Sequence, residues 1–114
     1  MSWNDLDEGE RVVVRECLRA AVEGPFFPDW EFHSLFGLDR AEVSRVLHSL
    51  PVLDHEDESV RLAINNTLNN LLGYPSCRLR DDWTKFISAT EVEVGKIYTK
   101  WKGSGPKNFF DGLE

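Results

Sequence analysis

The sequence predicts an all-α domain of about six helices, and three observations carry that expectation. Apolar residues recur at three- and four-residue steps in several separated stretches. Helix-opening pairs such as Asp39 with Glu42 and Thr90 with Glu93 stand before these stretches, and glycine or proline stands after them. The length, 114 residues with 41% hydrophobic and 29% charged, suits one folded domain rather than two or a disordered chain.

The first helix is expected from about 5 to 22, with Leu6, Val13, Cys17, Ala20 and Ala21 inward. Asp5 is read as its cap, Asp7 and Glu8 as its first turn, and Gly24-Pro25 as its stop. Val12, Val13 and Val14 would also suit a strand, but the Arg/Glu-rich helical pattern around them outweighs that. After the apolar connection Phe26-Phe27-Pro28, Asp29 is expected to cap a short helix over 30–36 that Gly37 closes. The box at Asp39 and Glu42 opens a helix carrying Val43, Val46, Leu47 and Leu50, which ends before Pro51. A second long helix follows over 57–72, with Val60, Ile64, Leu68, Leu71 and Leu72 on one face. A short helix over 80–87 comes next, and the box at Thr90 and Glu93 opens a last one through Trp101.

The order long, short, medium therefore occurs twice. At an offset of 51 residues Phe32 meets Trp83, Phe36 meets Ile87, Val46 meets Ile97, and Glu42-Val43 meets Glu93-Val94. A duplicated three-helix unit (5–51 and 56–102) accounts for this, as does the general likeness of capped amphipathic helices. Residues 1–103 read as a single helical domain, and 104–114 as a tail docking on it through Phe109, Phe110 and Leu113.

No apolar run approaches the roughly 20 residues of a membrane span. The acidic start, Asp5-Leu6-Asp7-Glu8, has no basic segment leading into an apolar one, so a cytoplasmic chain is expected. Cys17 and Cys77 have neither metal spacing nor the number a disulfide scaffold needs, and no cofactor motif is present. His33, His48 and His55 follow no ligand or catalytic spacing, and His33 would meet a cysteine only by chance of folding. A non-enzymatic domain is expected.

Charge is uneven. Residues 1–58 hold 14 acids and 5 bases, residues 59–114 hold 6 acids and 8 bases, and the whole carries −7. That balance argues against nucleic-acid binding and favours a basic protein partner. Two acidic runs, Asp5, Asp7 and Glu8, then Asp54, Glu56, Asp57 and Glu58, are the candidate partner-binding residues. Helix dipoles explain about half of these carboxylates without any partner. Arg11, Arg15 and Arg19 form a basic stripe that Glu8, Glu16 and Glu23 are placed to neutralise. Asn65, Asn66, Asn69 and Asn70 are costly inside a helix, so they either brace loop backbone or recognise a ligand. Trp3, Phe26, Phe27 and Trp30 cluster near the first connection, Trp83 and Trp101 lie on the second unit, and most of the 13 aromatic residues are expected in the core.

The reading that results is a small acidic, non-catalytic protein-binding domain of the inhibitor or immunity type, neutralising a basic partner such as a toxin or nuclease. The alternative is a transcription-associated helix-turn-helix, with Arg40, Ser44, Arg45 and His48 on the recognition helix.

Overall fold

Among the described residues six helices form, in the expected order: α1 (Glu8–Glu23), α2 (Asp29–Phe36), α3 (Arg40–Ser49), α4 (Glu58–Gly73), α5 (Trp83–Phe86) and α6 (Glu91–Lys102). The computed structural model describes residues 3, 6–50, 57–73 and 82–102, and among these no residue lies in a strand. Asp5, Asp54, Glu56, Cys77 and the 104–114 tail lie outside the described residues. No helix among the described residues is long and apolar enough to cross a membrane.

The helix starts follow the capping rules, with two corrections. α1 begins two residues later than the sequence suggests, because Asp7 rather than Asp5 makes the box. Glu10 N–H donates to Asp7 Oδ1 at 2.8 Å, and Asp7 N–H donates to Glu10 Oε1 at 2.9 Å. Asp5 with Glu8 has the same spacing. The register at Asp7 wins because Glu10 also receives Lys100 from α6 at 2.8 Å, and Leu6 is then free to bury itself. α2 begins at Asp29 with Pro28 as its cap, so Asp29 is the first helical residue and not the cap. The boxes at Asp39/Glu42 and Thr90/Glu93 form as expected. Asp57 opens α4 by accepting from Ser59 N–H at 2.8 Å. α5 is a single turn of 4 residues, shorter than the 80–87 expectation.

α1 and α4 are the central pair. α1 packs against α3, α4, α5 and α6, while α4 packs against α1, α2, α3 and α6. α3 runs antiparallel to α1, since Arg40 reaches the end of α1 and Leu50 lies beside Arg11, Val12 and Arg15. α6 runs back along α1 as well: Ser88 meets Glu16 and Lys100 meets Glu10. Between the helices the aromatic rings interlock. Phe32 stacks on Phe36 at 4.2 Å between centroids, Phe27 meets Phe36 edge-on, and Phe26 wedges between Trp83 and Phe86. The order long, short, medium recurs, with 16, 8 and 10 residues and then 16, 4 and 12. At the 51-residue offset Phe32 and Trp83, Phe36 and Ile87, Val43 and Val94, and Val46 and Ile97 are buried in both members.

Two glycines test this packing in opposite directions. At Gly24 an added Cβ would sit 2.5 Å from the carbonyl oxygen of Ala20 and 2.9 Å from the Phe26 ring, and a backbone carbonyl cannot yield. Gly24→Ala should lower stability by about 1–3 kcal/mol in urea unfolding. Gly95 lies inside α6 with nothing within 4 Å of its Cβ position, so Gly95→Ala should raise stability by about 0.5–1 kcal/mol.

Acid should loosen the contact between α1 and α6. The hydrogen bond from Lys100, then that from the Asp7 amide, holds the Glu10 carboxyl below its usual value of 4.5. A carboxyl depressed in the folded state adds stability above its ordinary pKa and loses it as pH falls through its folded value. Glu10→Gln should therefore show a shallower fall of melting temperature with pH below about 4.5 than the parent protein.

Candidate functional site

The junction where α1, α2 and α3 meet is built around one side chain. Arg40, the first residue of α3, extends back across the chain to the end of α1. Its Nη1 donates to the carbonyl oxygens of Ala21 and Val22, both at 2.9 Å, and its Nη2 donates to Phe27 O at 2.8 Å. Nε and Nη2 both reach Asp29 Oδ1, at 3.0 and 2.7 Å. All five N–H groups of the guanidinium are thus engaged, and its Cζ lies 4.4 Å over the Phe32 ring. The need is local. α1 has no basic residue in its last turn and ends on Glu23, so its carbonyl end lacks a cation of its own.

The asparagines of α4 do the corresponding work for α2. Asn66 Nδ2 donates to Phe36 O at 2.7 Å, and Asn70 Nδ2 donates to Leu35 O at 2.9 Å. These are carbonyls of the last turn of α2, where Gly37 leaves the helix in the left-handed conformation at φ 71. Asn65 extends the chain of bonds: it donates to Asn66 Oδ1 and accepts from Tyr98 OH of α6 at 2.9 Å. Burial holds the Tyr98 phenol above its ordinary pKa. Asn69 faces outward and is exposed. Thr67, on the same helix, is wholly buried, and its hydroxyl has no partner among the described residues.

The basic stripe of α1 is divided among separate tasks. Arg11 donates to Trp3 O and lies over its ring, while Arg19 pairs with Glu23 and lies over Phe86. Glu16 instead accepts from the backbone and hydroxyl of Ser88. On the recognition helix of the alternative reading, Arg40 is committed to the junction and His48 Nδ1 bonds Ser44 O, leaving Arg45 exposed. Cys17 is fully buried, which pushes its thiol far up in pKa, and His33 is exposed, so the two form no dyad. Among the described residues no group of three or more His, Cys, Asp or Glu side chains is placed to hold a metal ion.

The candidate acidic residues that are described, Asp7, Glu8, Asp57 and Glu58, are all exposed at the starts of the two long helices. Asp7 and Asp57 spend a carboxylate oxygen on capping. Glu8 lines an open groove of about 450 Å³ with Trp3, Arg11, Val12, Arg15 and Leu50, and Glu58 shares a smaller one with Arg61. Arginines beside both glutamates therefore offset part of their charge.

One exposed residue departs from the core expectation. Trp30 is 79% exposed, while Trp3, Trp83 and Trp101 are buried. Phe32, Leu35 and Phe36 set the inward face of α2, and Trp30, two residues before Phe32, falls about 200° round the helix from it. That spacing was the available signal. The expectation that clustered aromatics fill the core obscured it.

The Arg40 fork cannot be reproduced by an ammonium group, which has three donors and no plane. Arg40→Lys should destabilise the protein by about 2 kcal/mol in thermal or urea unfolding, despite the conserved charge.

No family model, curated protein or solved structure matches the chain.

Proposed function

We propose that the protein is an acidic protein-binding domain of the inhibitor or immunity type, acting in the cytoplasm by covering a basic surface on its partner. The observation that carries this reading is where the charges are spent. Arg11 donates to a backbone carbonyl, and Arg40 divides its hydrogen bonds between three backbone carbonyls and Asp29. Asp7, Glu8, Asp57 and Glu58 stay exposed, on a chain whose total is already −7. Such a surface attracts a cationic partner from a distance and repels the phosphate backbone of nucleic acids. In this reading Asp54, Glu56, Asp57 and Glu58, with Asp5, Asp7 and Glu8 as a second edge, steer the encounter and raise its rate.

The test is association with the product of the neighbouring gene, an immunity protein being encoded beside its toxin, with duplex DNA as the competing probe. Reversing Asp54, Glu56, Asp57 and Glu58 to lysine should slow association by tenfold or more at low salt, on the order expected for steering, and flatten its salt dependence. An unchanged association rate makes these carboxylates a solvated surface and overturns the reading. Salt-sensitive retention of the parent protein on duplex DNA would also overturn it, in favour of the α2–α3 helix-turn-helix.

A further inference from the structure

The open groove of about 450 Å³ between α1 and the end of α3 joins apolar surface to an uncommitted cation. Trp3, Val12 and Leu50 line it, and Val12 is 50% exposed. Its charged lining is Glu8, Arg11 and Arg15, two cations against one carboxylate. Arg11 is held by Trp3 O and lies over the Trp3 ring. Arg15 is exposed and has no hydrogen-bond or ion-pair partner among the described residues. The positions three and four residues from it along α1 are Arg11, Val12, Leu18 and Arg19, so the helix sets two like charges beside it and no acid. An anion entering the groove would relieve that repulsion.

We infer that this groove receives the chain's own segment 109–114, with Phe109, Phe110 and Leu113 against Trp3, Val12 and Leu50, and Asp111 and Glu114 toward Arg15. Residues 108–114 carry three large apolar side chains, two acids and no base, which matches the apolar and cationic lining in kind. α6 delivers the chain to the right end of the molecule. Lys100 pairs with Glu10, two residues from Glu8 of the groove, and α6 ends at Lys102. The seven residues from Lys102 to Phe109 span about 23 Å when extended, whereas α1 is about 10 Å across. The groove between α1 and α6 is nearer, but Asp7, Glu10 and Glu93 line it with Lys96, an acidic rim that disfavours Asp111 and Glu114. Attachment to α6 also holds the segment at an effective concentration on the order of millimolar, ahead of any free peptide of the same chemistry. The inference is independent of the acidic-domain reading, and either holds without the other.

The test places p-benzoylphenylalanine at Phe110 of the full chain, irradiates it, and maps the attached residue by peptide mass. The expected product is a cross-link within one chain to Val12, Arg15, Leu50 or another residue of the groove. Arg15→Glu should lower its yield about threefold or more, and adding Asp111→Arg and Glu114→Arg to that variant should restore it. Val12→Asp, at a second exposed position, should lower the yield in the same way. Circular dichroism checks that each variant keeps its helices. A cross-link to another part of the body overturns the groove as the site, and so does a yield that neither Arg15→Glu nor Val12→Asp moves. A cross-linked pair of chains overturns the inference by assigning the segment to a second copy. No cross-link to protein at all shows the segment undocked and overturns it outright.

Discussion

A helix that ends inside a protein leaves carbonyl oxygens that must find donors, and at the end of α1 the answer is a side chain from another helix. α1 closes on Glu23 with no base in its last turn, which places negative charge at the negative end of the dipole. Arg40 resolves this by donating to Ala21 and Val22, and its planar fork reaches Phe27 and Asp29 as well. Four pieces of chain are held by one group: the end of α1, the connection, the start of α2 and the start of α3. The aromatic stack of Phe27, Phe32 and Phe36 lies against this arrangement, with Phe32 under the guanidinium. The antiparallel run of α3 along α1 follows from where Arg40 is anchored.

The same problem is solved at the end of α2 by amides instead of a cation. Asn66 and Asn70 lie one turn apart on α4, so their side chains point the same way and meet successive carbonyls, Phe36 and Leu35. Asparagine suits this role because its Nδ2 donates without bringing a charge that would need desolvation. The cost in helix propensity is offset by α4 being held by the helices around it, α1, α2, α3 and α6. Tyr98 joins the network through Asn65, so one chain of hydrogen bonds links α6, α4 and α2. Networks of this kind fix orientation as much as they add stability, since each member has few geometries that satisfy its partners.

These internal commitments shape the outside. Arg40 turns inward to carbonyl ends yet still pairs with Asp29, and Arg19 pairs with Glu23, so the polar groups beside α2 are largely matched within the fold. The outer face of a helix as short as α2 would ordinarily be filled by small or polar residues. Here it presents an indole, which forgoes burial in the monomer and gains it only when something covers it.

Much of the fold was legible in the sequence because it depends on local chemistry. The box pairs Asp39 with Glu42 and Thr90 with Glu93 are three residues apart and form wherever a helix starts, so they could be read directly. The apolar steps at Val43, Val46 and Leu47, or at Val60, Ile64, Leu68 and Leu71, likewise name their own inward faces. Ambiguity entered where two local solutions were equal. Asp5 with Glu8 and Asp7 with Glu10 have the same spacing, and Lys100, some ninety residues away, decided between them. By sequence alone Arg40 stands on the recognition helix of the helix-turn-helix alternative, and Asn66 and Asn70 pose a choice between bracing and recognition. Their partners on other elements lie 11 to 35 residues distant in the chain, and only folding brings them within about 3 Å. Helix positions, inward faces and the net charge belong to the sequence itself, since they follow from neighbours a few residues apart. Which carbonyl each donor meets, and that Trp30 is left in water, were decided by the tertiary structure, because they depend on how whole helices cross.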